Sequence, residues 1–355
     1  MKKIVLTGGG TAGHVTPNLA LLPALQESGF LITYMGSYDG IEKRLVEDFG
    51  IPYVGIATGK FRRYLDVKNL TDPFRVIKGY GEARKFLKKY RPDVVFSKGG
   101  FVSVPVVRAA ASLKIPCIIH ESDMTPGLAN KLCFPVAKNI CCNFPETYQM
   151  LPKEKAVLTG TPIRAELAQG NKLAGLEMCG FTANKPVIMV IGGSLGAMNV
   201  NKAVRDALPQ LLEKYQVVHL CGKDKVDNLL LSTPGYKQFE YLKAELKDIF
   251  AMADIVISRA GANAICELLA LRKPNILIPL PASSSRGDQL LNAESFGEQG
   301  FSIVLHEDDM TTALLVEKVN ELYENRQTFF DAMEKSGQMN SIPTIMELIK
   351  KAAGA

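Results

Sequence analysis

Residues 7–17 read Thr-Gly-Gly-Gly-Thr-Ala-Gly-His-Val-Thr-Pro and follow the apolar run Ile4-Val5-Leu6. This order can hold an anion: glycines let a ligand approach the backbone, and a following helix start turns N–H groups toward negative charge. Thr16 is expected as the helix N-cap and Pro17 as the first helical residue. His14 adds a titratable ring that phosphate binding alone does not call for. Beside a helix N-terminus the ring is expected to stay neutral near pH 7, ready to take a proton from an attacking hydroxyl. His120 and Glu121, at the end of another apolar run, are second candidates for that work.

Gly8-x-Gly10-x-x-Gly13 fits the dinucleotide fingerprint in its strand–turn–helix context. That fingerprint wants an acidic residue at the end of the second strand, to hold ribose hydroxyls. Here that strand ends Tyr34-Met35-Gly36 and Asp39 comes three residues too late, so a nicotinamide enzyme is disfavoured. Further glycine turns are Lys98-Gly99-Gly100, Gly192-Gly193-Ser194-Leu195-Gly196 and Ala260-Gly261-Ala262. Ser194 adds a hydroxyl at a phosphate-sized turn. Glu267 lies about two turns into the helix after Gly261, where a carboxylate can bind ribose hydroxyls. The plainer alternatives are that glycine is common wherever a strand turns tightly into a helix, and that Glu267 is a solvated helix carboxylate.

The elements that must carry these residues alternate. Lys3–Thr7 reads as a strand and Pro17–Ser28 as a helix closed by Gly29. Leu31–Met35, Asp93–Ser97 and Cys117–His120 read as further strands, with a small-residue helix near Pro105–Leu113. A second start appears at Pro186: Val187–Ile191 as a strand, a glycine turn, and a helix from about Asn199. Val217–Leu220, Ile255–Ser258 and Asn275–Pro279 follow as strands. Alternation of this kind implies two doubly wound parallel sheets, with ligands at the carboxyl ends of their strands. The join is expected near Gly160–Arg164, and a last helix near Ile342–Ala353 could pack on either half.

At 355 residues and 47% hydrophobic content the chain can bury two ordinary cores. No apolar run reaches the roughly 18 residues of a spanning helix, and Met1-Lys2-Lys3 leads straight into a strand, so a cytoplasmic location is expected. The seven cysteines form no Cys-x-x-Cys pair and read as reduced core residues; the four histidines lack metal-ligand spacing. Net charge is +6, unevenly spread: Lys60 to Arg91 holds 11 basic and 3 acidic residues, so the whole excess sits in that segment.

Six ordered stretches are similar to one family: Thr7–Pro17, Ser97-Lys-Gly-Gly-Phe-Val-Ser103, His120-Glu121, Gly160-Thr-Pro-Ile-Arg164, Gly192–Gly196 and Ser258–Glu267. Over nearly its full length the chain resembles the MurG-type glycosyltransferases of bacterial peptidoglycan synthesis. The resemblance implies an α/β GT-B fold of two Rossmann-like domains facing a cleft. Residues 1–162 would form the acceptor- and membrane-binding domain and 163–355 the UDP-sugar domain, with the last helix able to return to the first. It implies transfer of N-acetylglucosamine from UDP-GlcNAc to the C4 hydroxyl of undecaprenyl-pyrophosphoryl-MurNAc-pentapeptide (lipid I), with inversion, giving lipid II. Carried over by position, Thr11, Ala12 and Gly13 belong to the first loop, and His14 is its base or an acceptor-site group. Arg164 and Ser194 lie near the diphosphate. Ala262, Asn263, Ala264, Ile265, Cys266 and Glu267 form the uridine-binding helix start, and Gln289 contacts the sugar. The chain departs from the family at three places. Ala12 replaces a glycine, Asp123 replaces an asparagine that contacts the donor, and Ser283-Ser284-Ser285-Arg286 replaces a shorter, more acidic loop.

Inverting transfer needs the acceptor hydroxyl deprotonated and the departing diphosphate stabilised. No Asp-x-Asp occurs in the chain, so helix starts, Ser194 and Arg164 are expected to do the second task without a protein-bound metal, magnesium at most assisting turnover. In Lys60–Arg91 the charge is interleaved with Phe61, Tyr64, Phe74, Ile77, Tyr80 and Phe86, a composition suited to an anionic membrane surface on the cytoplasmic side. The plainer alternative is a solvated helix packing one side on the core. No nucleic-acid motif accompanies the charge. The alternatives are another UDP-sugar enzyme of the same architecture, such as a UDP-GlcNAc 2-epimerase or a transferase with another acceptor, and a non-catalytic nucleotide or membrane-surface module.

Overall fold

A computed structural model describes residues 1–59, 68–192, 197–282, 287–336 and 341–355, with only the backbone for 68–71. The chain divides into two compact units, Met1–Arg164 with Asn340–Ala355, and Ala165–Met339.

The first unit holds seven parallel strands: β1 Lys3–Thr7, β2 Leu31–Ser37, β3 Tyr53–Ile56, β4 Val94–Ser97, β5 Cys117–Glu121, β6 Asn139–Cys142 and β7 Ala156–Leu158. They lie in the order β3-β2-β1-β4-β5-β6-β7. β1 is central, with Leu6 opposite Tyr34 on one side and Phe96 on the other. Its residues alternate between two cores, as the pleat requires. Ile4 and Leu6 join Leu25, Tyr34 and Phe96, while Val5 joins Met35, Val95 and Ile119. Helices cover both faces, which is why these strands read as near-continuous apolar runs. The helix Ser341–Ala353 returns to this unit: Ile345, Met346 and Ile349 enter the Ile4/Leu6 core, and Lys2 Nζ donates to Ala353 O at 2.6 Å.

The second unit repeats the plan with β8 Val187–Ile191, β9 Gln216–Leu220, β10 Tyr236–Phe239, β11 Ile255–Ser258, β12 Asn275–Leu277 and β13 Ser302–Val304, in the order β10-β9-β8-β11-β12-β13. In each sheet the chain winds one way from a central strand and then returns to wind the other way. The topological switch therefore falls between β1 and β4, and between β8 and β11, where side-by-side loops leave a crevice for ligands. The loops so placed are 8–13 and 98–100 in the first unit, and 259–261 in the second.

Several expectations are corrected. The helix expected over Pro17–Ser28 is two short ones, Thr16–Ala20 and Leu22–Glu27, because Pro23 has no N–H to continue the ladder. Val15 takes the N-cap position without a side-chain bond, and the Thr16 hydroxyl donates back to Ala12 O at 3.1 Å. Strands β3, β6, β7, β10 and β13 are three or four residues long and carry little period-2 pattern, so no sequence signal marked them. All seven cysteines are buried and free, as read from their spacing.

The helix Lys68–Tyr90 has two faces. Gly79, Ala83 and Leu87 turn inward, while Phe74 and Ile77 stand 74% and 68% exposed beside the exposed Arg75 and Lys78. Gly79 permits the close approach: a Cβ there would lie 1.8 Å from Ala57 O. Gly79→Ala gains about 1 kcal/mol of helix propensity, but the helix must shift off a backbone atom, an overpacking cost of about 1–3 kcal/mol. We expect a net loss of stability in urea unfolding; an unchanged midpoint would show that the helix shifts freely.

Candidate active site

The first glycine loop is held from inside the protein. Glu42, at the start of the helix Ile41–Glu47, is fully buried and turns back to the loop. Its Oε2 accepts the Gly10 N–H at 3.2 Å and its Oε1 accepts the Ser37 N–H at 3.0 Å and the Ser37 hydroxyl. A Cβ on Gly9 would lie 2.6 Å from the Glu42 carboxyl carbon, so glycine is what lets the carboxylate in. Below the loop, Tyr34 donates to Gly8 O at 2.8 Å and Asn18 Nδ2 to Thr7 O at 3.0 Å. The cradle that the glycine spacing suggests for a phosphate thus has a carboxylate of the chain's own. Sequence reasoning looked for an acid at the end of β2 and passed over Glu42, five residues beyond that strand.

The loop ends in a single 3-10 turn, Ala12–His14, with Thr11 and Ala12 exposed and Gly13 and His14 half-buried. His14 Nδ1 lies 3.1 Å from Lys98 O. A carbonyl only accepts, so Nδ1 carries the proton and Nε2 keeps the lone pair. Burial, and then the Lys98 charge, push the ring's pKa down to about 4, against the raising effect of the Lys98 carbonyl. The neutral ring was expected from a helix N-terminus; the following helix has five residues, and these two causes do the work instead.

Lys98 is 1% exposed. Its ammonium reaches His120 Nδ1 at 2.7 Å, Ser122 Oγ at 2.5 Å and Thr161 Oγ1 at 3.4 Å. His120 Nε2 donates to Gly160 O at 2.8 Å, and burial followed by Lys98 holds its pKa well below the usual histidine value. His120 is wholly enclosed, which removes it as a base for substrate. Glu121 is also corrected: Oε1 accepts Asp123 N–H at 3.0 Å, and Oε2 accepts Gly127 N–H and Asn130 Nδ2 at 2.9 Å each. Those bonds commit the carboxylate to shaping loop 121–130. Asp123 is half-buried on that loop, its carbonyl accepting the Thr147 hydroxyl at 3.3 Å. Arg164 is half-buried, three residues beyond Thr161.

In the second unit the turn 259–261 leads into the helix Ala262–Ala270. A Cβ on Gly261 would meet nothing within 4 Å, so this glycine borders open space. Ala262, Asn263, Ala264 and Glu267 are half-buried; Cys266 is nearly enclosed. Ile265 is fully buried and its N–H bonds Gly261 O at 3.1 Å, so it supports the helix start from within. Gln289 Oε1 accepts Leu280 N–H at 3.1 Å, joining the helix Asp288–Glu298 to the chain beyond β12. Two residues passed over by motif reading hold this end together. Arg259, 9% exposed, donates through Nη1 to Ile278 O and Pro279 O at 3.1 and 3.2 Å, and pairs through Nη2 with Glu307. Asn292 Nδ2 donates to Ala260 O at 3.1 Å. Ser194, with the turn 193–196, and Ser283–Arg286 lie outside the described residues, as does Lys60–Asp66 of the basic segment. Among the described residues no three His, Cys, Asp or Glu side chains group closely enough to hold a metal, and no helix is long and apolar enough to cross a membrane.

Two all-parallel units wound in the same order form the α/β architecture of the GT-B class, and solved structures share it. MurG from Acinetobacter baumannii superposes with a TM-score of 0.79 at 28% identity, covering 99% of this chain and 100% of that one. CalG4, the calicheamicin glycosyltransferase, and a putative UDP-N-acetylglucosamine 2-epimerase from Listeria monocytogenes share the fold at 15% and 14% identity, with TM-scores of 0.72 and 0.69. The glycosyltransferase family 28 N-terminal domain matches residues 4–142 and its C-terminal domain residues 187–349; the chain belongs to this family. A protein of Lachnospira eligens is 64% identical over 99% of both chains, and one of Clostridium botulinum 56% identical over the same share. Both bear the name UDP-N-acetylglucosamine–N-acetylmuramyl-(pentapeptide) pyrophosphoryl-undecaprenol N-acetylglucosamine transferase.

Glu42→Ala removes the buried carboxylate that accepts from the exposed Gly10 N–H and from the half-buried Ser37. At about 1.5–3 kcal/mol for a hydrogen bond to a charged group, less what water restores at these part-exposed donors, the variant should lose about 2 kcal/mol in denaturant unfolding; an unchanged midpoint would show that water replaces the carboxylate.

Proposed function

We propose that this chain moves N-acetylglucosamine from UDP-GlcNAc to the C4 hydroxyl of the undecaprenyl-pyrophosphoryl-MurNAc-pentapeptide, inverting the sugar carbon and making lipid II for the cell wall. The observation that carries the reading is His14: a neutral ring at the first unit's switch point, its proton fixed on Nδ1 by Lys98 O and its Nε2 lone pair left to act. His14 takes the acceptor proton as the hydroxyl attacks, and UDP leaves with the bonding electrons. A ring of such low basicity is by itself a weak base. Substrate diphosphates bring negative charge that opposes Lys98 and raises the ring's pKa toward the working pH.

Thr11, Ala12 and Gly13 line the approach to His14, and Asp123 sits on the neighbouring loop. In the second unit the start of the helix Ala262–Ala270 receives the nucleoside, with Glu267 on the ribose hydroxyls and Gln289 on the sugar. Ser194 and Arg164 stabilise the leaving diphosphate without a resident metal; magnesium, where supplied, would assist by partly neutralising the substrates. Glu121 and His120 position this site instead of reacting in it.

The acceptor is a lipid, and the helix Lys68–Tyr90 offers a surface for its membrane. Phe74 and Ile77 stand out among basic side chains, while the opposite face serves the core. Each basic group near an anionic leaflet contributes about 1 kcal/mol. The chain would thus work as a peripheral protein at the cytoplasmic face.

A mass-resolved assay with UDP-GlcNAc, UDP-GalNAc or UDP-glucose and a short-chain lipid-linked MurNAc acceptor tests the reaction; no product from UDP-GlcNAc overturns it. His14→Ala should lower turnover about a hundredfold or more while UDP binding stays within about twofold, and near-normal turnover would remove His14 as the base. On vesicles, flotation should need anionic lipid and weaken in Phe74→Ser/Ile77→Ser; binding indifferent to both would assign that surface elsewhere.

A further inference from the structure

We propose that Lys98 is the positioning residue of this site, holding His14 through its carbonyl and His120 through its ammonium, so that the two rings carry their protons on opposite nitrogens. An ammonium has three N–H donors and no acceptor. Buried, it is tolerated only when those donors are met. Here three donors face three acceptors: His120 Nδ1, Ser122 Oγ and Thr161 Oγ1. The bonds beyond them run in one direction. His120 Nε2 must donate to Gly160 O, Thr161 donates to Asn143 Oδ1 at 2.7 Å, and Asn143 Nδ2 donates to Ser122 O at 2.9 Å. Reversing any of them would need a carbonyl to donate.

This network binds the turn after β4 to the chain beyond β5 and β7, and it also fixes residue 98 itself. The Lys98 N–H bonds Thr7 O at 2.9 Å, and the next two residues, Gly99 and Gly100, sit at φ +88° and +80°. Glycines at positive φ impose little direction of their own. The direction of the Lys98 carbonyl is therefore set by residue 98, held at its N–H by β1 and at its Nζ by the three acceptors. That carbonyl keeps the His14 proton on Nδ1. A ring freed from it would share its proton between both nitrogens, and the Nε2–H form cannot accept a proton there.

The consequence for turnover rests on His14 being the base; the tautomer assignment does not. The test uses the full chain as wild type and Lys98→Met, a neutral side chain of similar length. Ring ¹⁵N spectra of wild type should show His14 protonated on Nδ1 and His120 on Nε2. In Lys98→Met both preferences should weaken, with kcat down about tenfold or more, the loss of a hydrogen bond to a charged group, and KM for UDP-GlcNAc within about twofold. Ser122→Ala and Thr161→Val remove one acceptor each and carry the test if Lys98→Met does not fold; they should move the same ring signals in smaller steps. Unchanged ring signals and kcat in a folded Lys98→Met, or in both single-acceptor variants, overturn the proposal. Retained turnover in His14→Ala would instead overturn the base, leaving the opposed tautomers to be judged by the spectra alone.

Discussion

A charged side chain taken out of water must find a partner for nearly every hydrogen-bonding position it has, or its burial costs several kcal/mol. At the carboxyl ends of both sheets that requirement arranges the loops. Glu42, Lys98 and Arg259 are each at most 9% exposed, and each is satisfied by groups from segments far apart in sequence. Glu42 closes the loop after β1 against the end of β2. Lys98 joins the turn after β4 to the chain beyond β5 and β7. Arg259 joins the turn after β11 to the chain beyond β12 and to Glu307, beyond β13. The parallel sheets bring these ends together, and the buried charges decide how the ends are shaped.

The first loop shows why the shape matters for function. Its glycine spacing is that of a dinucleotide cradle, yet the amide such a cradle offers to phosphate is given to Glu42. Close backbone approach is the property glycine supplies, and the chain uses it for its own carboxylate. What the loop offers outward is the turn that follows, Ala12–His14, with a ring whose charge state is governed by burial and by Lys98. In the second unit the glycine at 261 has open space in front of it, so the same kind of turn there leaves room for a ligand. Two turns that read alike differ in what fills them.

The helix Lys68–Tyr90 makes the corresponding point for surfaces. Ala83 and Leu87 are buried, whereas Phe74 and Ile77 are not, although all four are apolar residues on one helix. The Gly79 contact with Ala57 O brings one face against the sheet and so leaves the other to solvent or to a partner. Basic residues flank the outer face, which ties the packing of this helix to the membrane role proposed for it.

Much was legible in the sequence because it depends on local chemistry. Strands buried on both faces write themselves as apolar runs, and β1, β5, β8, β9 and β11 were read near their observed bounds. The glycine turns, the repeated strand–turn–helix start at Pro186 and the reduced cysteines follow from local rules in the same way, and the ordered motifs pointed to the family. Strands β3, β6, β7, β10 and β13 were not legible, because pairing with a neighbour, and not their own pattern, makes them strands. Nor were the partners of charged residues. Nothing local to Glu42 says that it will meet Gly10, nothing near Glu121 says that its carboxylate will be spent on residues 123, 127 and 130, and Lys98 reads as one more turn lysine until its ammonium is seen enclosed. The sequence by itself determined which elements form and which residue types stand at their ends. Only the tertiary structure decided which of those residues are free to react and which are consumed in holding the rest, because that depends on what lies within hydrogen-bonding distance after distant strands have come side by side.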